Sequence, residues 1–217
     1  MTLRLYSHPF ASFCQKVLIA LYENATPFEA VLIDLGNEAD RASLQKVWPI
    51  AKFPVLLDDA RQCSVPESSI IIEYLTQYYP GPTVFVPEDR ERARETRLLD
   101  RFYDLYVSDP MQKIVGNRLR PPDQKDPFGV AQARASLDTA YGMIEEQMRD
   151  KTWALGDAFT LADCSAAPAL HYANVVHPIG SAYPRAAAYL KRLYDRPSFA
   201  RVLREAESYW AIFPKES

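Results

Sequence analysis

Two side chains able to act as a nucleophile or as a hydrogen-bond donor, Ser12 and Cys14, lie in the stretch YSHPFASFCQKVLIAL that begins at Tyr6. A strand end, a proline-marked turn and a helix follow one another there. Both residues therefore fall in the first helical turn, where main-chain N–H groups have no helical partner. Such a position favours a thiolate, whether the sulfur belongs to the chain or to a bound molecule. Cys14 stands two residues from Ser12, roughly 200° around a helix, so the two cannot easily serve one sulfur. It stands three residues after Ala11 and shares that residue's face. Cys14 thus either lines the floor of a site or packs as a small apolar residue against a sheet. His8, in the same turn, either lines the site or is an ordinary solvent-facing turn histidine.

Three more stretches carry residue types that bind or catalyse. In AKFPVLLDD, Pro54 stands at the entry to a strand, which suits an edge or a strand start. A trans bond makes this an ordinary edge. A cis bond would turn the N–H and C=O of Phe53 outward, to pair with an added peptide-like strand. In VPESSIIIEYL, Pro66 suits a first helical turn, and Glu67 and Ser68 either cap that helix or hold a carboxylate and an ammonium group at its N-terminus. In GDAFTLADCSAAPAL, Thr160 and Asp163 have capping-box spacing ahead of an apolar helix, so Asp163 reads as structural and Cys164 as core. His8, His171 and His177 have no partners at metal-ligand spacing, and there is no phosphate-binding glycine motif. No metal is expected.

These motifs need elements to position them. TLRLY alternates as a strand, and Phe13, Val17, Ala20 and Leu21 form one helical stripe. FEAVLID is a second strand, Glu38 to Val47 a short helix, FPVLLDD a third strand and CSV the start of a fourth. Ile71, Tyr74, Leu75 and Tyr78 then fall on a helix opened by Pro66 and Glu67. The expected order over residues 1–80 is β-α-β-α-β-β-α. The Pro-rich residues 81–87 form a linker, and residues 88–217 read as helical throughout. There, Val130, Leu137, Tyr141, Ile144 and Met148 share one helix face.

Bulk properties limit the partners. The 217 residues are 48% apolar and 24% charged with a net charge of −3, an ordinary balance for a globular protein. No basic patch marks a nucleic-acid footprint. Arg90, Arg92, Arg94 and Arg97 alternate with Glu88, Asp89, Glu91 and Glu95, which reads as a solvated, salt-bridged face. Three widely spaced cysteines suggest neither disulfides nor zinc. With no signal-type leader and no apolar run of the ~18–20 residues that span a membrane, the expected setting is cytoplasmic.

Taken in order, KFP before the third strand, PES before the third helix and FTLAD in a helical second half resemble the cytosolic glutathione transferases. The resemblance covers nearly the whole chain. It implies a thioredoxin-like N-terminal domain followed by an all-helical domain, and a homodimer. It implies glutathione as co-substrate, with Pro54 as a cis-proline and Phe53 gripping the cysteinyl backbone. Glu67 and Ser68 would hold the γ-glutamyl group and Lys52 the glycine carboxylate. It further implies attack of the glutathione thiolate on a hydrophobic electrophile. The alternatives are glutathione-dependent isomerisation, peroxide reduction or dehalogenation, or a binding protein with little catalysis. Serine-type members often read Ser-Ser-x-Cys-x-x-Val. Laid on Cys14 and Val17, that pattern puts Ala11 where the sulfur's usual donor would be and Ser12 after it. Ser12 is then the first candidate to stabilise the thiolate, its N–H the second and Cys14 the third. The electrophile would lie against the helix that begins near Asp89. Phe102, Tyr103, Tyr106 and Met111 are candidates to line its pocket, although aromatics at such spacings are more often core.

Overall fold

A computed structural model describes residues 2–216. The first part runs β1 (Leu3–Ser7), α1 (Ser12–Glu23), β2 (Glu29–Leu32), α2 (Glu38–Val47), β3 (Val55–Asp58), β4 (Cys63–Pro66) and α3 (Ser68–Tyr78). The sheet order is β2-β1-β3-β4. β1 and β2 are parallel, and the other two pairings are antiparallel. Side chains on a strand alternate between its faces. Leu3, Leu5 and Leu56 accordingly pack with α1 and α3, while Tyr6 and Val55 pack with Leu44 of α2 on the other face. Burying leucines of this kind contributes roughly 1.5–3 kcal/mol each.

The rest is helical: α4 (Arg90–Phe102), a π-helical turn (Tyr103–Ser108), α5 (Asp109–Leu119), α6 (Pro127–Gln147), α7 (Leu161–Val176), α8 (Pro184–Tyr194) and α9 (Pro197–Ala206). A 3₁₀ segment follows over Glu207–Ile212. Segments α4, π turn and α5 form one continuous rod. The widened turn precedes Pro110, which has no N–H to give and whose ring would collide with the carbonyl four residues earlier in a regular helix. Helix α7 is buried nearly all round and packs on α1, which also meets α9. Its capping box forms: Asp163 accepts hydrogen bonds from the N–H groups of Thr160 and Ala154 and from the Tyr189 hydroxyl. Cys164 is core. The α6 stripe Leu137, Tyr141 and Ile144 is fully buried, with Met148 just past the helix end.

Several sequence expectations are corrected. Pro66 does not open α3. It is the last residue of β4, opposite Val55, where a missing N–H costs nothing on an edge strand. Phe102, Tyr103 and Met111 point into the helical core rather than a pocket. Tyr106 is exposed, at 59%. The basic run is not purely solvated: Arg97 donates to both oxygens of Glu73 on α3, at 2.7 and 2.8 Å. No helix among the described residues is long and apolar enough to cross a membrane.

Candidate active site

A cavity of about 640 Å³ opens between the sheet half and the α4–α5 rod. Lys52, Phe53, Pro54, Glu67 and Ser68 all line it. The Phe53–Pro54 peptide is cis. The N–H and C=O of Phe53 make no main-chain hydrogen bond among the described residues, so both remain available to a peptide-like partner. Lys52 is exposed and lines the cavity, as does Trp48.

The N-terminus of α3 is a second part of the lining. Glu67 occupies its cap position with φ 69° and ψ 119°, a backbone conformation unfavourable to a residue with a side chain. Its carboxylate does not cap the helix, which leaves the first N–H groups of α3 unfilled and the acid free at the cavity. Ser68 is buried beneath it. Capping, one of the two roles open to Glu67 from sequence, is therefore absent.

The third element is the start of α1. Ala11 is its cap residue and has no side chain with which to cap, so the first N–H groups of this helix are also unfilled. Phe13 lines the cavity. Ser12 is half-buried, and its hydroxyl has no partner among the described residues. Cys14 is fully buried, and desolvation pushes its thiol up to about 12, so it is a packed residue and not a reactive one. His8 is not a free turn histidine. Its ring packs edge-on against Tyr209 with centroids 4.6 Å apart, and its Nδ1 accepts the Phe10 N–H at 3.2 Å. Burial, partly countered by Asp34, lowers its pKa, so it stays neutral near pH 7.

The far wall comes from the α4–α5 rod. Arg97, Asp100, Arg101, Asp104, Leu105 and Asp109 recur at helical spacing and face the cavity, while Phe102, Tyr103, Tyr106 and Met111 do not line it. The expected aromatic face and the observed polar face are adjacent stripes of the same rod. Beneath this wall lies Lys16 of α1, only 1% exposed. Its ammonium reaches Asp100 at 2.6 Å, Asp104 at 3.0 Å and the Ser69 hydroxyl at 2.8 Å. Burial, together with Asp100, raises the Asp104 pKa, and Lys16 opposes that rise. This group was missed from sequence. Its signal was a lysine directly before the apolar run VLIAL.

Comparison with known proteins accords with this arrangement. Residues 5–83 match the family model for the glutathione S-transferase N-terminal domain, and residues 127–192 match that for the glutathione S-transferase C-terminal domain. A solved glutathione S-transferase from Methylobacterium radiotolerans, in complex with glutathione sulfonate, has a TM-score of 0.80 and 30% sequence identity, covering 93% of this chain and 94% of that one. The chain belongs to the glutathione S-transferase family. A Pseudomonas putida protein named glutathione S-transferase is 25% identical over 97% of this chain and 96% of its own length. A Coxiella burnetii protein named stringent starvation protein A homolog is 29% identical over 94% of this chain and 92% of its own. The glutathione S-transferase fold is thus matched across both halves, and the relatives carry more than one functional name.

Proposed function

We propose that this protein is a glutathione transferase that binds glutathione along the cavity and stabilises its thiolate for attack on a small hydrophobic electrophile. The observation that carries the reading is convergence: a free lysine end, an unpaired main-chain edge at Phe53 and an unfilled helix N-terminus with a free acid all face one cavity. Glutathione has groups complementary to these: a glycine carboxylate, a cysteinyl peptide and a γ-glutamyl end with one carboxylate and one ammonium. Lys52 meets the glycine carboxylate, Phe53 the cysteinyl main chain, and Glu67 and Ser68 the γ-glutamyl end. A carboxylate at an unfilled helix N-terminus gains hydrogen bonds and favourable dipole interaction.

The cysteinyl sulfur then lies towards the start of α1. A thiol of pKa ~8.5 is mostly protonated at neutral pH. Unfilled N–H groups and the unpartnered Ser12 hydroxyl lower that value by one to two units, roughly a ten- to hundredfold gain in thiolate. Ser12 is the proposed side-chain donor, since Ala11 has none to offer and Cys14 is sealed in the core. We place the electrophile beside Phe13 and Leu105, the apolar side chains on the α1 and rod sides of the cavity. A homodimer belongs to the same reading, supported by exposed Ile70 and Leu98 on the α3 and α4 surfaces.

The test is conjugation of an aromatic halide with glutathione at several pH values, alongside direct binding of glutathione. Turnover that rises with pH through the bound thiol pKa supports the transferase. Ala11 favours a second reading, a glutathione-binding protein with little catalysis. Binding without turnover would select that reading.

A further inference from the structure

The turn from His8 to Ala11 enters α1 and sets where its unfilled N-terminus points, and this turn is held from the helical half. A peptide unit is planar, so fixing its C=O also fixes the N–H on its other side. In the Pro9–Phe10 unit the N–H donates to His8 Nδ1 at 3.2 Å, and the C=O accepts from the Gln15 side-chain amide at 2.9 Å. In the Phe10–Ala11 unit the N–H donates to the His8 carbonyl at 3.0 Å, and the C=O accepts the Tyr172 hydroxyl at 2.9 Å. In the next unit, Ala11–Ser12, the C=O accepts the Gln15 main-chain N–H at 2.9 Å, and the N–H is unspent among the described residues. Two pinned planes therefore lead directly into the unit that carries the Ser12 N–H, with the Ser12 hydroxyl beyond it.

The two side chains that hold these carbonyls lie behind the site. Gln15 and Tyr172, the latter on α7, are 0% and 4% exposed, and neither lines the cavity. The Gln15 amide nitrogen also donates to the Tyr172 oxygen at 3.0 Å, so both of its N–H bonds are spent. The Pro9 carbonyl can only accept, which fixes the orientation of that amide. Gln15 Oε1 is left buried without a partner among the described residues. An unmade buried acceptor is destabilising, so the amide is placed for what its nitrogen holds. The Phe10 ring meets Tyr172 and Trp210 edge-on, with centroids 5.7 and 5.1 Å apart, which keeps the turn from swinging away. Burial raises the Tyr172 pKa, so its hydroxyl keeps its proton and stays a donor near neutral pH.

Resting on the glutathione reading, we propose that Tyr172 is a positioning residue for the thiolate: it holds the Phe10 carbonyl and, with Gln15, aims the Ser12 hydroxyl and N–H at the glutathione sulfur. The helical half thereby tunes the thiol without touching it. Donors held in advance need no reorganisation as charge develops on sulfur, and a small misplacement costs much of their effect.

Tyr172→Phe keeps the ring among its aromatic neighbours and removes the hydroxyl. The experiment follows the thiolate absorbance of bound glutathione, and the pH profile of kcat for conjugation of an aromatic halide, in the wild-type chain, Tyr172→Phe and Gln15→Met. In Tyr172→Phe the bound thiol pKa is expected to rise by about half a unit to one unit, so that kcat at about pH 6 falls roughly three- to tenfold. At about pH 9.5 the thiolate forms in both chains, and kcat returns to within about twofold of wild type. Glutathione affinity by calorimetry at about pH 6, where the thiol is mostly protonated, also stays within about twofold. Gln15→Met leaves only the Pro9 carbonyl unpaired and is expected to shift the thiol pKa in the same direction by less. A fall in kcat that is equal at every pH, or a bound thiol pKa in Tyr172→Phe that matches wild type, would show that Tyr172 serves only the fold. Either result overturns the inference while leaving the proposed function standing. A wild-type chain that binds no glutathione, or whose bound thiol titrates as it does in free glutathione, overturns the proposed function and this inference with it. Should Tyr172→Phe not fold, Gln15→Met decides alone, and an unchanged thiol pKa there counts against the assignment.

Discussion

Ala11, Ser12 and Cys14 occupy one helical turn and have three different fates. Ala11 leaves the cap of α1 empty, Ser12 holds an uncommitted hydroxyl at its first position, and Cys14 is sealed beneath. The sequence shows that a thiolate could be stabilised here, because an unfilled helix start follows from the turn and the apolar stripe. It does not show which residue faces the ligand, because a one-residue change of register at the turn swaps them. Two substitutions separate the possibilities. Ser12→Ala is expected to raise the apparent pKa of the bound thiol by about one unit, with little change in stability, and the pH–rate profile reads it. Ala11→Ser supplies both an N-cap and a second donor. It is expected to stabilise the chain by about 1 kcal/mol in urea unfolding and to raise turnover at neutral pH several-fold. Lys16 was legible only as an anomaly, since a charge beside an apolar run does not reveal its partners eighty residues away.

At the level of elements, the strands and the helices with single-minded patterns were readable. Glu38 to Val47 has the expected bounds, and the Thr160–Asp163 box starts α7 as its spacing requires. The α4–α5 rod was misread for a physical reason. The resemblance puts the electrophile against this rod and offers its aromatic stripe as the wall, although aromatics at such spacings are more often core. In fact the apolar stripe fills the helical core, and the polar stripe with Asp100 and Asp104 lines the cavity. Pro66 was misplaced because a proline suits both a strand end and a helix start. The turn it enters carries a testable cost, since Glu67 is held at φ 69°. Glycine, lacking a Cβ, tolerates a positive φ at lower cost than glutamate does. Glu67→Gly is therefore expected to leave the unfolding free energy measured in urea unchanged or to raise it by up to about 1 kcal/mol, while the KM for glutathione rises about tenfold or more. A fall in stability with KM unchanged would show that Glu67 serves the fold and not the ligand.

Across the whole molecule, the two halves are joined by the α1 contacts with α7 and α9, by the Lys16 cluster and by the Arg196–Glu23 ion pair at 2.6 Å. Near the same seam lies His171, whose Nδ1 meets the Tyr194 hydroxyl at 2.9 Å and whose Nε2 is buried without a partner among the described residues. Burial lowers its pKa to about 4, against about 6.5 when unfolded. Between those values the unfolded chain binds the proton and the folded chain does not. The contribution is thus present above pH 6.5 and is lost as pH falls towards 4. His171→Phe is expected to remove on the order of 1–2 kcal/mol of the stability loss between pH 7 and pH 5, read as a smaller shift in urea midpoint. An equal shift in both proteins would place the acid sensitivity elsewhere. The seam also forms the cavity, and the central claim is that this cavity turns glutathione into a nucleophile. Titration of the glutathione thiol by its thiolate absorbance, free and bound to the wild-type chain, tests that claim most directly. The account predicts a bound pKa one to two units below the free value, and a bound thiol that titrates as it does in free glutathione would contradict it.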